Sequence, residues 1–190
     1  MKNIKDLLFE TKKFRNRLVE NMNQLDTRKV NCLSCTGVCC TVARNSMMVT
    51  PVEALDLYFE IENKIKDKEL FWTKVEESIS QFGLDREIYV KNKLMRKNYT
   101  CPLFKFESFG CPIDPHLKPF GCLGYNAFEA GVKEGEKCAS DTALLEQTEM
   151  EIRKELDELN SILRSQYQLD FDKLPIPKAL LYCRKVIQQK

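Results

Sequence analysis

Seven of the nine cysteines in this chain fall in two groups. The first reads Cys32-Leu-Ser-Cys35-Thr-Gly-Val-Cys39-Cys40, and the second is Cys101, Cys111 and Cys122. Thiolate is the softest ligand a protein carries, and it selects zinc, copper(I) or iron–sulfur clusters over magnesium or calcium. The two-residue gap between Cys32 and Cys35 lets both sulfurs turn inward around one ion. About four converging donors complete a tetrahedral zinc site or hold a four-iron cluster. Seven thiols exceed the need of one tetrahedral ion. A four-cysteine site with spare thiols and a polynuclear centre are both open.

A thiolate centre also needs compensation for its negative charge. Arg44, Lys105 and Lys118 flank the cysteines and could supply it. Gly37 permits backbone angles that other residues resist, so amides near it can point at sulfur. Adjacent Cys39 and Cys40 are harder to place, because neighbouring side chains of an extended segment point opposite ways. Either one binds and the other packs, or the two serve different centres. Cys138 is a candidate eighth ligand, and His116, the only histidine, is a candidate nitrogen ligand between two cysteines. Cys183 lies on an apolar helical stripe and reads as core. Cys101 and Cys111 each precede proline, as cluster-binding cysteines do in some ferredoxins.

Other chemistries lack a constellation. No acid–base pair or phosphate-binding loop stands out, and His116 beside Cys111 or Cys122 is the only nucleophile–base candidate. A formal net charge of +2 in 190 residues does not indicate nucleic acid. No apolar run reaches the roughly 20 residues of a membrane-spanning helix, and the first residues do not read as a secretory signal. A cytoplasmic address is expected, where clustered cysteines bind metal or do redox chemistry rather than form disulfides. The odd cysteine count agrees with this.

The elements that must position these residues are mostly helical. Residues 3–26 carry Ile4, Leu7, Leu8, Phe14, Leu18, Met22 and Leu25 at three- and four-residue steps. Lys12, Lys13, Arg15 and Arg17 are expected on the solvated face. After the cysteine loop, residues 46–49 suit a short extended segment. Thr50-Pro51-Val52-Glu53 is a strong helix start, with Glu53 placed for a capping box. That helix is expected to run to about Lys66. A second should follow over 68–82 and end at Gly83, and a third over 85–97, burying Ile88, Leu94 and Met95. The aromatic, proline-rich segment 98–124 reads as a small β-hairpin followed by a helical turn at about 115–122. A long helix is expected from Asp141 to about Gln166 and a last one over 178–189.

The fold class that follows is mainly α with a small β-hairpin, a helical domain around a cysteine-rich metal-binding core. Three parts are expected. Residues 1–29 form an N-terminal amphipathic helix, 30–125 a cysteine-cluster domain, and 126–190 a helical extension that packs on the first helix.

The motif Cys32-x2-Cys35-x3-Cys39-Cys40, then Cys101-Pro-Leu-Phe, Cys111-x-Ile113 and Lys118-Pro119-x2-Cys122, resembles the YkgJ-type cysteine-cluster family. The resemblance covers about residues 30–125. It implies a zinc- or iron-chelating domain in which Cys32, Cys35, Cys39, Cys40, Cys101, Cys111 and Cys122 are the metal set. This chain departs from the family at Lys118, where arginine is usual, and at Asp114, where tyrosine is usual. The gap between Cys111 and Cys122 is also one residue longer. Related motifs occur within flagellin lysine methylases, but this chain has no glycine-rich nucleotide loop to support that activity.

The expected function is therefore a metal-binding protein holding an iron–sulfur cluster or Zn²⁺, with a partner protein met through the helical flanks. One alternative is an iron–sulfur enzyme or accessory factor in redox or protein-modification chemistry. The other is a metal carrier.

Overall fold

The computed structural model describes residues 4–26, 37–104, 113, 117–123 and 142–189. Side chains are described for the same residues except 21–26, 142, 144, 145 and 148. Six α-helices, one 3-10 turn and four two-residue strands make up the regular structure among them.

Helix α1, Ile4–Asp26, follows its apolar stripe. Leu7, Phe14 and Leu18 are buried, one or two helical turns apart. Arg15 departs from expectation. It is 1% exposed, while Lys12, Lys13 and Arg17 face solvent. The reason is a counter-charge on the next helix, described below.

Helix α2, Pro51–Lys64, is the hub of the fold. Glu53 Oε2 accepts from the Thr50 N–H at 2.8 Å and from its hydroxyl at 2.7 Å, which fixes the first turn. Pro51 occupies a position whose N–H would have no helical partner. Residues from Pro51 to Tyr58 are all buried, because α1, α5 (Thr142–Tyr167) and α6 (Ile176–Gln188) pack around this helix. Its Val52 N–H donates to the buried Asn160 Oδ1 of α5 at 3.0 Å.

Helix α3, Lys68–Gln81, starts where Asp67 accepts the Leu70 N–H at 3.0 Å. It ends before Gly83, whose φ of +57° suits the reversal. Phe71, Trp72 and Val75 are buried, and α3 packs against α6. The Arg184 guanidinium of α6 lies 4.8 Å from the Trp72 ring.

Residues 85–97 form no helix. Strands β2, Tyr89–Val90, and β3, Lys93–Leu94, make an antiparallel hairpin. Lys91 and Asn92 turn it with φ of 49° and 60°, as a two-residue hairpin loop requires. Ile88, Leu94 and Met95, expected to be buried, are 48%, 43% and 50% exposed. Their spacing suits one face of a helix, but among the described residues no neighbouring element covers it. The chain instead takes the extended form that Ile-Tyr-Val prefers. The hairpin expected within 98–124 falls largely on residues outside those described.

Helix α4 is short, Phe120–Leu123. Helix α5, Thr142–Tyr167, buries Ile152, Leu159 and Leu163 and packs against α1 and α2. Gln168, at φ of 60°, turns the chain after it. Strand β4, Leu174–Pro175, pairs with β1, Met48–Val49, in register Met48↔Pro175 and Val49↔Leu174. Helix α6 then runs from Ile176 to Gln188, two residues earlier than expected. Pro177 fits there because a first-turn N–H has no helical acceptor. The Ile176 N–H donates instead to Tyr99 Oη at 3.0 Å. The fold is thus mainly helical with a small antiparallel hairpin. Among the described residues no helix is long and apolar enough to cross a membrane.

Candidate metal centre

Two chain segments far apart in sequence run side by side at the centre. The Cys101 N–H donates to the Cys40 carbonyl at 2.8 Å, and the Tyr99 N–H to the Asn45 carbonyl at 2.9 Å. Between them, the Val42 N–H donates to Thr100 Oγ1 at 3.2 Å. Residue number rises on one segment as it falls on the other, so the pairing is antiparallel. It fixes Cys40 and Cys101 next to one another.

The first segment opens on Gly37, at φ of +76°. A Cβ there would lie 2.5 Å from Phe104 Cε2, so the ring closes over a backbone only glycine provides. Val38–Cys40 then form a single 3-10 turn. Successive residues of a 3-10 turn point about 120° apart rather than opposite ways, and Cys39 and Cys40 both line the same cavity.

Cys122 comes from α4, which is held by two buried groups. Glu53 Oε1 accepts the Phe120 N–H at 2.8 Å, so one carboxylate starts both α2 and α4. Arg15 Nε donates to the Lys118 carbonyl at 3.2 Å, and its guanidinium lies 4.8 Å from the Phe120 ring. Arg15 is itself paired with Asp56 and donates to Thr11 Oγ1 at 2.9 Å. Burial raises the Asp56 carboxyl above its ordinary range, and the Arg15 charge opposes that shift.

Cys39, Cys40, Cys101 and Cys122 line one cavity of about 750 Å³. Cys101 is buried and the other three are half-buried. Arg44 and Lys118, two of the three cations expected to offset thiolate charge, line it as well. Lys118 is 1% exposed, and its ammonium has no hydrogen-bond partner among the described residues. A buried ammonium in that state is costly unless negative charge accompanies it. Tyr99 stands beside the same thiols. Burial pushes its hydroxyl well above the usual value, with Cys101 and Cys122 adding to the rise. The far wall is polar, carrying Glu146, Glu149, Arg153 and Asp157 from α5.

Cys32, Cys35, Cys111, Cys138, His116 and Lys105 lie outside the described residues. Among the described residues no three His, Cys, Asp or Glu side chains stand close enough to hold a metal. The donor chemistry of the cavity nevertheless fits a soft ion, with four thiols on its wall and a buried cation beside them. Cys183 is fully buried in α6, away from this cavity's lining.

Sequence reasoning missed three contributors. Met47 and Met48 line the cavity, and Glu53 holds α4 in addition to capping α2. The capping box marked Glu53, but nothing local announced its second partner, 67 positions away. The methionines carried no spacing signal at all.

No protein-family model matches the chain, and no curated protein and no solved structure matches it.

Proposed function

We propose that this chain is a metal-binding cysteine-cluster protein, YkgJ-type in its motif, whose ion ties the Cys39–Cys40 turn, the Cys101 segment and α4 together. One observation carries the reading. Four of the seven clustered cysteines, from three separate stretches of chain, line a single cavity beside a buried lysine. Thiolates around an ion would supply the negative charge that the Lys118 ammonium calls for. The cysteine spacing supports either an iron–sulfur cluster or zinc as the ion. Thiol ligands suit a compartment that keeps them reduced, in keeping with a cytoplasmic address.

A second reading is a metal carrier. It is favoured by the half-buried state of Cys39, Cys40 and Cys122 around an open cavity, since an exchangeable ion needs reachable ligands.

The test is purification without oxygen, followed by metal and acid-labile sulfide analysis. Bound metal should be present, and Cys39→Ser, Cys101→Ser and Cys122→Ser should each lower it, while Cys183→Ser keeps it. Brown colour with sulfide identifies a cluster, and colourless protein with zinc identifies a tetrahedral site. Chelation should lower the melting temperature, because metal binding contributes to folding. Full metal content in all three serine variants would refute the reading.

A further inference from the structure

We propose that the Met47 thioether is a donor in the cysteine site and equips it to take a soft monovalent cation, Cu(I). The inference rests on the metal-site reading above and goes further by naming an added ligand and the ion it favours.

Three observations converge on Met47. It lines the same cavity as Cys39, Cys40, Cys101 and Cys122. Its sulfur lies against the α4 backbone at Gly121, the residue before Cys122. A Cβ at Gly121 would stand 2.8 Å from Met47 Sδ and 3.1 Å from its methyl carbon. That glycine has no positive φ to explain it, so what its missing side chain provides is room for the thioether.

The third observation is that the Met47 backbone is pinned. Its N–H donates to Asn45 Oδ1 at 3.0 Å, and its carbonyl accepts from Tyr99 Oη at 2.5 Å. Tyr99 is fully buried and lies two residues before Cys101. The stretch of chain that places Cys101 therefore also places Met47.

The chemistry discriminates between ions. Zinc takes cysteine, histidine and carboxylate ligands, whereas thioether sulfur belongs with the soft set that suits Cu(I). A thioether is neutral, so it adds a soft donor without adding to the charge of the thiolates. Met150, 69% exposed on α5 and outside this cavity's lining, is the control.

The experiment uses the full chain, reduced and without oxygen, loaded with Cu(I) in competition with bicinchoninate and separately with Zn²⁺ in competition with a chromogenic zinc chelator. Met47→Leu conserves volume. It should weaken Cu(I) binding about tenfold, the scale on which losing a supporting group acts on a metal site, and leave zinc binding unchanged. Met150→Leu should change neither. X-ray absorption at the selenium edge of selenomethionine-labelled, Cu(I)-loaded protein should show a copper neighbour that Met47→Leu removes. This second readout on the unsubstituted chain stands even if the variant folds poorly. Unchanged Cu(I) affinity in Met47→Leu, an equal loss of both ions, or selenium without a copper neighbour would overturn the inference. The underlying metal-site reading fails separately, through metal retained in the cysteine variants.

Discussion

Arg15 reaches across three elements. It pairs with Asp56 of α2, donates to Thr11 on its own helix, and holds the Lys118 carbonyl that leads into α4. Helical periodicity put Arg15 among solvated cations, because the angle around a helix says nothing of what the next helix brings. Asp56 brought a carboxylate. Burial raises that carboxyl above its ordinary 3.8. A raised carboxyl takes up a proton on folding, so its contribution to stability is fully present below the unfolded value and is lost as pH rises through the folded one. Asp56→Asn should remove that slope from urea unfolding measured between about pH 4 and pH 7. It should also cost about 3–5 kcal/mol, since it strands the Arg15 cation. An unchanged slope would show that Asp56 titrates normally. Cys183 gives a simpler case. Burial pushes its thiol up to about 12, so the reactive thiolate is absent at neutral pH. Iodoacetamide at pH 8 should spare Cys183 in folded protein and label it after unfolding, as peptide mass spectrometry can read.

The elements divide by how local their causes are. Helices α1, α2, α3 and α5 begin and end close to where periodicity and capping residues place them. A capping box acts within four residues, and an apolar stripe repeats within each turn. The β2–β3 hairpin escaped the same reasoning. Ile88, Leu94 and Met95 fit one face of a helix as well as they fit a hairpin, and among the described residues no neighbour covers that face to favour the helix. The turn itself can be tested. Asn92 holds a left-handed conformation, which costs a β-branched residue about 1–2 kcal/mol. Asn92→Val should therefore release the Met95 amide, bonded to the Ile88 carbonyl at 2.8 Å, to faster hydrogen exchange. Global stability should move by less than about 0.5 kcal/mol, because the hairpin is exposed. Unaltered exchange at Met95 would mean that the turn does not hold the hairpin.

At the scale of the molecule, Tyr99 joins the site to the helices. Its hydroxyl donates to the Met47 carbonyl and accepts the first N–H of α6 from Ile176. Tyr99→Phe leaves both groups unsatisfied in a fully buried place and should cost about 1–3 kcal/mol in thermal or denaturant unfolding. A loss below about 0.5 kcal/mol would show that the hydroxyl does not brace the fold.

The residues alone determined which soft donors the chain carries and the run of most helices. Donor softness belongs to the side chain, and helix formation depends on near neighbours. Tertiary structure decided the rest. It brought Cys39, Cys40, Cys101 and Cys122 to one cavity, buried Arg15 and Lys118, and laid Met47 against Gly121. Each of those facts joins residues tens of positions apart. Such contacts come from how α1, α2 and α6 pack, and no local pattern encodes that packing.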